Sequence, residues 1–193
     1  MNSKKTQHWW NSSLALPIEV AAVVCSLAFT LLYLRGAVPL AWWPALLGSV
    51  LFAGLCFQRR IYAECALHLF YVAMAIYGLV HSSTNPQAGG WQLWQHTCSL
   101  IGAALLTALA ARLLIRHTNA QLPWLDAFTT VFSLLATWQM ANFVHTAWLY
   151  WIVIDSAAVA LYAARRLYLG AALFVLYTAM AVDGYFPQIQ WFG

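Results

Sequence analysis

The chain has 193 residues, of which 63% are apolar and only 7% charged, and its formal net charge is +4. An ordinary soluble domain is about one-quarter charged, and so few charges cannot cover this much apolar surface in water. A soluble fold is therefore excluded, a nucleic-acid partner is not expected, and the chain must divide into apolar runs of about 17–25 residues, each able to cross a bilayer.

In chain order these runs are 17–34, 38–57, 62–81, 97–115, 125–142, 147–164 and 167–186. The first follows Lys4 and Lys5, as the core of a signal peptide would. It is longer than such a core, however, and ends at Leu34-Arg35-Gly36 in place of a small-residue cleavage site, so it is read as a span. The third run holds Glu64 and His68, one helical turn apart and read as a structural hydrogen-bonded pair ahead of a proton-linked one. Segment 82–95 is the one long connection, and Asn85-Pro86 with Gly89-Gly90 mark it as a turn-rich surface loop. The fifth run carries Gln139 and Asn142, which either face a cavity or bond between helices; in the seventh, Asp183 lies near the end and is expected to face water. The predicted class is an all-α integral membrane protein with seven transmembrane helices in one domain, 1–193, without a soluble domain.

Basic residues give the orientation. With seven spans, one side of the membrane receives Lys4, Lys5, Arg59, Arg60, Arg112, Arg116, Arg165 and Arg166, and the other receives only Arg35. Cytoplasmic loops carry the excess of Lys and Arg, so the N-terminus is predicted inside and the C-terminus outside. The two arginine pairs would also meet anionic lipid head groups.

The chain also repeats itself. Residues 41–79 align without a gap on 147–185, and 13 of the 39 pairs are identical, among them Trp42 with Trp148, Tyr71 with Tyr177, and Gly78 with Gly184. Glu19 and Asp126 stand in nearly the same relation, one position off that register. The expected plan is a triple-helix repeat over 17–81, a linker helix over 97–115, and a second triple-helix repeat over 124–186. After three crossings the chain is on the wrong side, and one further span allows the second triplet to run parallel to the first. Duplicated membrane proteins of this kind are most often transporters with a site between the repeats.

Chemistry concentrates on the sixth run, where Trp148, Trp151 and Asp155 fall at i, i+3 and i+7 on one helix face. A charged side chain well inside an apolar run costs roughly 3 kcal/mol on insertion scales and usually faces the bundle interior or a water-filled path. A carboxylate flanked by indole faces suits a flat organic cation, held by charge, stacking and cation–π contacts. The bland alternative is an Asp bonded to a neighbouring helix, with tryptophans anchored at the interface. The first copy keeps Trp42 but has Ala45 and Ser49 in place of Trp151 and Asp155, so the binding face is expected to be asymmetric. Tyr71 and Tyr177 either contact the ligand or share a packing role. Cys25, Cys56, Cys65 and Cys98 have no metal-ligand spacing and are read as packing residues. No phosphate loop, metalloprotease motif or nucleophile motif is present, so an enzyme is not expected.

The motif Trp148-x-x-Trp151-x-x-x-Asp155, followed by Leu161-Tyr162, Arg166-Leu167-Tyr168 and the run to Gly184, resembles the PnuC nicotinamide riboside transporters. Ile61-Tyr62 through Tyr71 to Ile76-Tyr77-Gly78, and Pro123-Trp124-Leu125-Asp126, are similar to the same family. The resemblance implies a bacterial inner-membrane vitamin transporter with a three-plus-one-plus-three arrangement like that of the SWEET sugar transporters. It further implies facilitated diffusion, with a cytoplasmic kinase trapping the substrate. Riboside members tend to carry Asn where this chain has Asp155, which keeps a thiamine transporter as the competing expectation; a membrane-embedded enzyme or scaffold is the remaining one. The expected substrate contacts are Trp148, Trp151, Asp155 and Gln139, with Trp42, Ser49, Tyr71 and Tyr177. The expected partners are the vitamin and membrane lipid, self-association is compatible with the plan, and no cofactor, metal or catalytic residue is expected.

Overall fold

Hydrocarbon offers no partner to backbone N–H and C=O groups, so a chain this apolar must satisfy them within helices. The computed structural model describes residues 15–58, 62–81, 90–118, 120–188 and 191–192. They form seven helices: α1 (Ala15–Leu34), α2 (Val38–Gln58), α3 (Tyr62–His81), α4 (Leu93–His117), α5 (Pro123–Ala141), α6 (Ala147–Ala164) and α7 (Tyr168–Tyr185). No strand occurs among the described residues.

Six of the helices, all but α5, are long and apolar enough to cross a membrane. In α5 the apolar residues are diluted by Asp126, Thr129, Thr130, Ser133, Thr137 and Gln139. Helix α4 starts four residues before the expected run, inside what reads as a surface loop. The Gln95 side chain explains the early start, since its oxygen accepts the backbone N–H of Gln92 at 2.7 Å and caps the helix.

The described residues group into two compact units, the first holding α1–α3 and the second α4–α7. In the first, α2 packs against both α1 and α3; in the second, α4 packs on α5, α5 on α6 and α6 on α7. Small residues make these contacts, with Ala22, Ala41, Ala53 and Ala75 buried in the first unit and Ala127, Ala136, Ala158 and Ala171 in the second. In lipid there is no hydrophobic drive between helices, and small side chains let backbones approach closely. Large apolar residues such as Val20, Val24, Leu105 and Leu109 point outward instead.

Two corners are built alike. At the end of α1, Arg35 N–H donates to Leu31 O, Gly36 to Tyr33 O and Ala37 to Leu32 O at 2.9–3.1 Å. At the end of α5, Asn142 N–H donates to Trp138 O, Phe143 to Met140 O and Val144 to Gln139 O at 3.0–3.2 Å. Every donor and acceptor of the second set lies 107 positions after its counterpart. Gly36 (φ 74°) and Phe143 (φ 57°) both take the left-handed conformation that this helix-closing turn requires. Arg166 (φ 59°) closes α6 in the same way, with Leu167 N–H on Tyr162 O at 2.9 Å. Its counterpart, Arg60, lies outside the described residues, as do Lys4, Lys5 and Arg59.

Candidate functional site

Helix α6 is held on both sides, by α5 and by α7. Ala147, Trp148, Ile154, Asp155, Ala158 and Leu161 are its buried residues. At about 100° per residue they span one arc of the helix, and Trp151 falls near its centre, yet Trp151 is only half-buried. Its indole Nε1 is nevertheless fully buried and finds no hydrogen-bond partner among the described residues.

Asp155, 4% exposed, makes no hydrogen bond or ion pair among the described residues. The other four acids all have partners. Asp126 is bound by both carboxylate oxygens to Arg165 at 2.6 and 2.8 Å, Asp183 accepts two backbone N–H groups, and Glu19 and Glu64 are each engaged. On α5, Gln139 is completely buried, and neither its amide oxygen nor its nitrogen has a partner among the described residues. A buried polar group left unpaired costs about 1–3 kcal/mol. Among the described residues the second unit carries such groups at Thr107, Gln139 and Trp151, and the buried Asp155 lies one turn along α6 from Trp151.

Trp148 is buried in the first turn of α6. Its indole lies over Gly184 of α7, where a Cβ would stand 2.5 Å from Cδ2 and Cε2. Tyr177, also on α7, is half-buried, with its ring centroid 6.2 Å from that of Phe174.

In the first unit Trp42 is buried among Phe29, Tyr33 and Gly78, with ring centroids 5.3 and 6.0 Å away. Its Nε1 has no partner among the described residues. Ser49 and Tyr71 are half-buried. His68 stacks on Phe52 (4.9 Å, 17°) and meets Tyr71 edge-on (5.7 Å).

Several expectations are corrected. The His68 ring stacks on Phe52, and its buried Nδ1 is unpartnered among the described residues. Asp183 does not face water: it is 3% exposed, and its carboxylate accepts the N–H groups of Trp191 at 2.8 Å and Phe192 at 2.9 Å. Asn142 reaches back within its own helix, its Nδ2 donating to Trp138 O at 2.8 Å. Cys98 is exposed, not packed. Sequence reasoning also missed the seats under the two indoles, although Gly78 and Gly184 are an identical pair in the same alignment that matches Trp42 with Trp148.

The family model described as nicotinamide mononucleotide transporter matches residues 16–192. Among solved structures, the crystal structure of the vitamin B3 transporter PnuC is similar with a TM-score of 0.68. At 20% identity the match covers 88% of this chain and 79% of that one, and it shows a shared fold. No curated protein matches by sequence.

Proposed function

Since the chain belongs to the nicotinamide mononucleotide transporter family, a family of transporters rather than enzymes, we propose that it imports nicotinamide riboside. The observation that carries this assignment is Asp155, a buried acid on the same helix face as two tryptophans. The pyridinium ring stacks on Trp148 and Trp151 with its charge against Asp155, as a flat cation between indoles and a carboxylate would. Gln139 offers a donor and an acceptor, both unused among the described residues, which complement the ring's carboxamide. Tyr177 on α7 adds an aromatic wall; Trp42, Ser49 and Tyr71 stand at the matching positions of the first unit, where the acid is missing.

The transporter lies in the bacterial inner membrane with α5 as its seventh span, the N-terminus cytoplasmic and the C-terminus outside. Eight basic residues against one support the orientation. The identical corner bonds at the ends of α1 and α5 support a three-plus-one-plus-three repeat. Transport is facilitated diffusion, made productive by a cytoplasmic kinase that traps the substrate. A protonophore should leave initial uptake intact in cells lacking that kinase; collapse of uptake would instead make Asp155, Glu64 or His68 part of a proton path.

Thiamine is the second reading, favoured by Asp155 itself, because its thiazolium is also a fixed cationic ring. Calorimetric titration of the detergent-purified protein with nicotinamide riboside, thiamine and riboflavin decides between them. Binding of the riboside ahead of the other two is expected. Preference for thiamine replaces the substrate, and silence from all three removes the vitamin assignment.

A further inference from the structure

Helix α7 carries two aromatic rings directly on its backbone. At Gly184 a Cβ would lie 2.5 Å from the fused ring atoms Cδ2 and Cε2 of Trp148; at Gly170 it would lie 2.3 Å from Cδ1 of Tyr162. The first unit has the same arrangement once, with Gly78 under Trp42 at 2.2 Å. The residues on either side of Gly184 fix the seat. Asp183 holds the N–H groups of Trp191 and Phe192. The Tyr185 carbonyl accepts from His145 Nε2 at 3.2 Å, and the two rings stack with centroids 5.5 Å apart. With the Asp183 carboxylate and the Tyr185 carbonyl both engaged beside it, an added methyl would be met by a turn of the indole.

We propose that Gly184 is a positioning residue, whose missing side chain sets the tilt of the Trp148 indole and thereby the affinity and ring preference of the site. This rests on Trp148 being a substrate contact, as proposed above. Gly170 supplies the internal control, since it offers the same clash on the same helix, against an aromatic ring that is not among the proposed contacts.

The test is a double-mutant cycle in purified protein, with Kd for nicotinamide riboside and thiamine read by calorimetry and folding read by thermal unfolding. Gly184→Ala is expected to weaken riboside binding about tenfold or more and to change the riboside-to-thiamine ratio, yet to add no more than about twofold in a Trp148→Ala background. Gly170→Ala is expected to lower the unfolding temperature while holding Kd within about twofold. Equal losses from Gly184→Ala in both backgrounds, an unchanged Kd, or an equal loss from Gly170→Ala overturns the proposal. If Gly184→Ala alone does not fold, Gly184→Ala with Trp148→Ala replaces it, because removing the ring leaves the methyl room. Binding equal to that of Trp148→Ala alone then supports the proposal, and a further loss overturns it. Failure of the unaltered protein to bind any ring cation would strike the substrate assignment instead, so the two failures are separable.

Discussion

Replacing Asp155 by Ser should move stability and binding in opposite directions. Serine stands at the matching place in the first unit, as Ser49. In α6 its hydroxyl can bond the carbonyl four residues back, as Ser156 already does to Ile152 at 2.6 Å. The substitution thus removes a buried carboxyl that has no partner among the described residues and leaves a group that satisfies itself. The substrate-free protein should gain about 1–3 kcal/mol, the penalty of a buried polar group left unpaired. Binding should lose the charged contact, worth about 1.5–3 kcal/mol, which weakens Kd about 10- to 150-fold. Thermal unfolding in detergent measures the first quantity and calorimetric titration with nicotinamide riboside the second. A structural aspartate would give the reverse pattern, a weaker fold with Kd untouched. A less stable substrate-free protein, or an unchanged Kd, refutes the reasoning.

Gln139→Met keeps the side-chain length but removes two unsatisfied amide atoms; it should stabilise the substrate-free protein by about 1–3 kcal/mol and weaken riboside binding, both read in the same two assays. Arg165→Ala breaks an ion pair whose side chains are 31% and 22% exposed. It should cost only about 0.2–1 kcal/mol, less in high salt, and leave Kd unchanged. Asp183→Ala strips the acceptor from Trp191 and Phe192, so limited proteolysis should trim the C-terminal residues faster than in the unaltered protein.

Span positions were legible because lipid makes apolar continuity and helix nearly the same statement. Runs 62–81 and 147–164 coincide with α3 and α6 at both ends, and every other boundary but the start of α4 lies within two residues. That start was hidden because a glutamine cap looks like polar loop sequence. Helical spacing placed Trp148 and Asp155 on one face of α6, and both are buried there. Spacing alone missed the stack of His68 on Phe52, because Phe52 is adjacent only in space. Asp183 was misread for a different reason: its partners are backbone N–H groups of residues 191 and 192, which no side-chain pattern announces. The seats at Gly78 and Gly184 were visible as identities, but their purpose depends on where an indole lies.

The paired corners also locate a one-residue difference in spacing between the two units. Through Ala37 and Val144 matched positions differ by 107, and from Ala41 and Ala147 onward by 106. The first unit has three residues, 38–40, where the second has two, 145–146. Inside a helix, such an insertion would rotate everything downstream by about 100° and turn the wrong face inward. At the corner it is absorbed, and the glycine seats stay in phase with their tryptophans in both units. These few residues, which in the first unit form the opening turn of α2, are the chain's length buffer, and a single-residue insertion or deletion there should be tolerated where the same change in the middle of α2 or α6 would not.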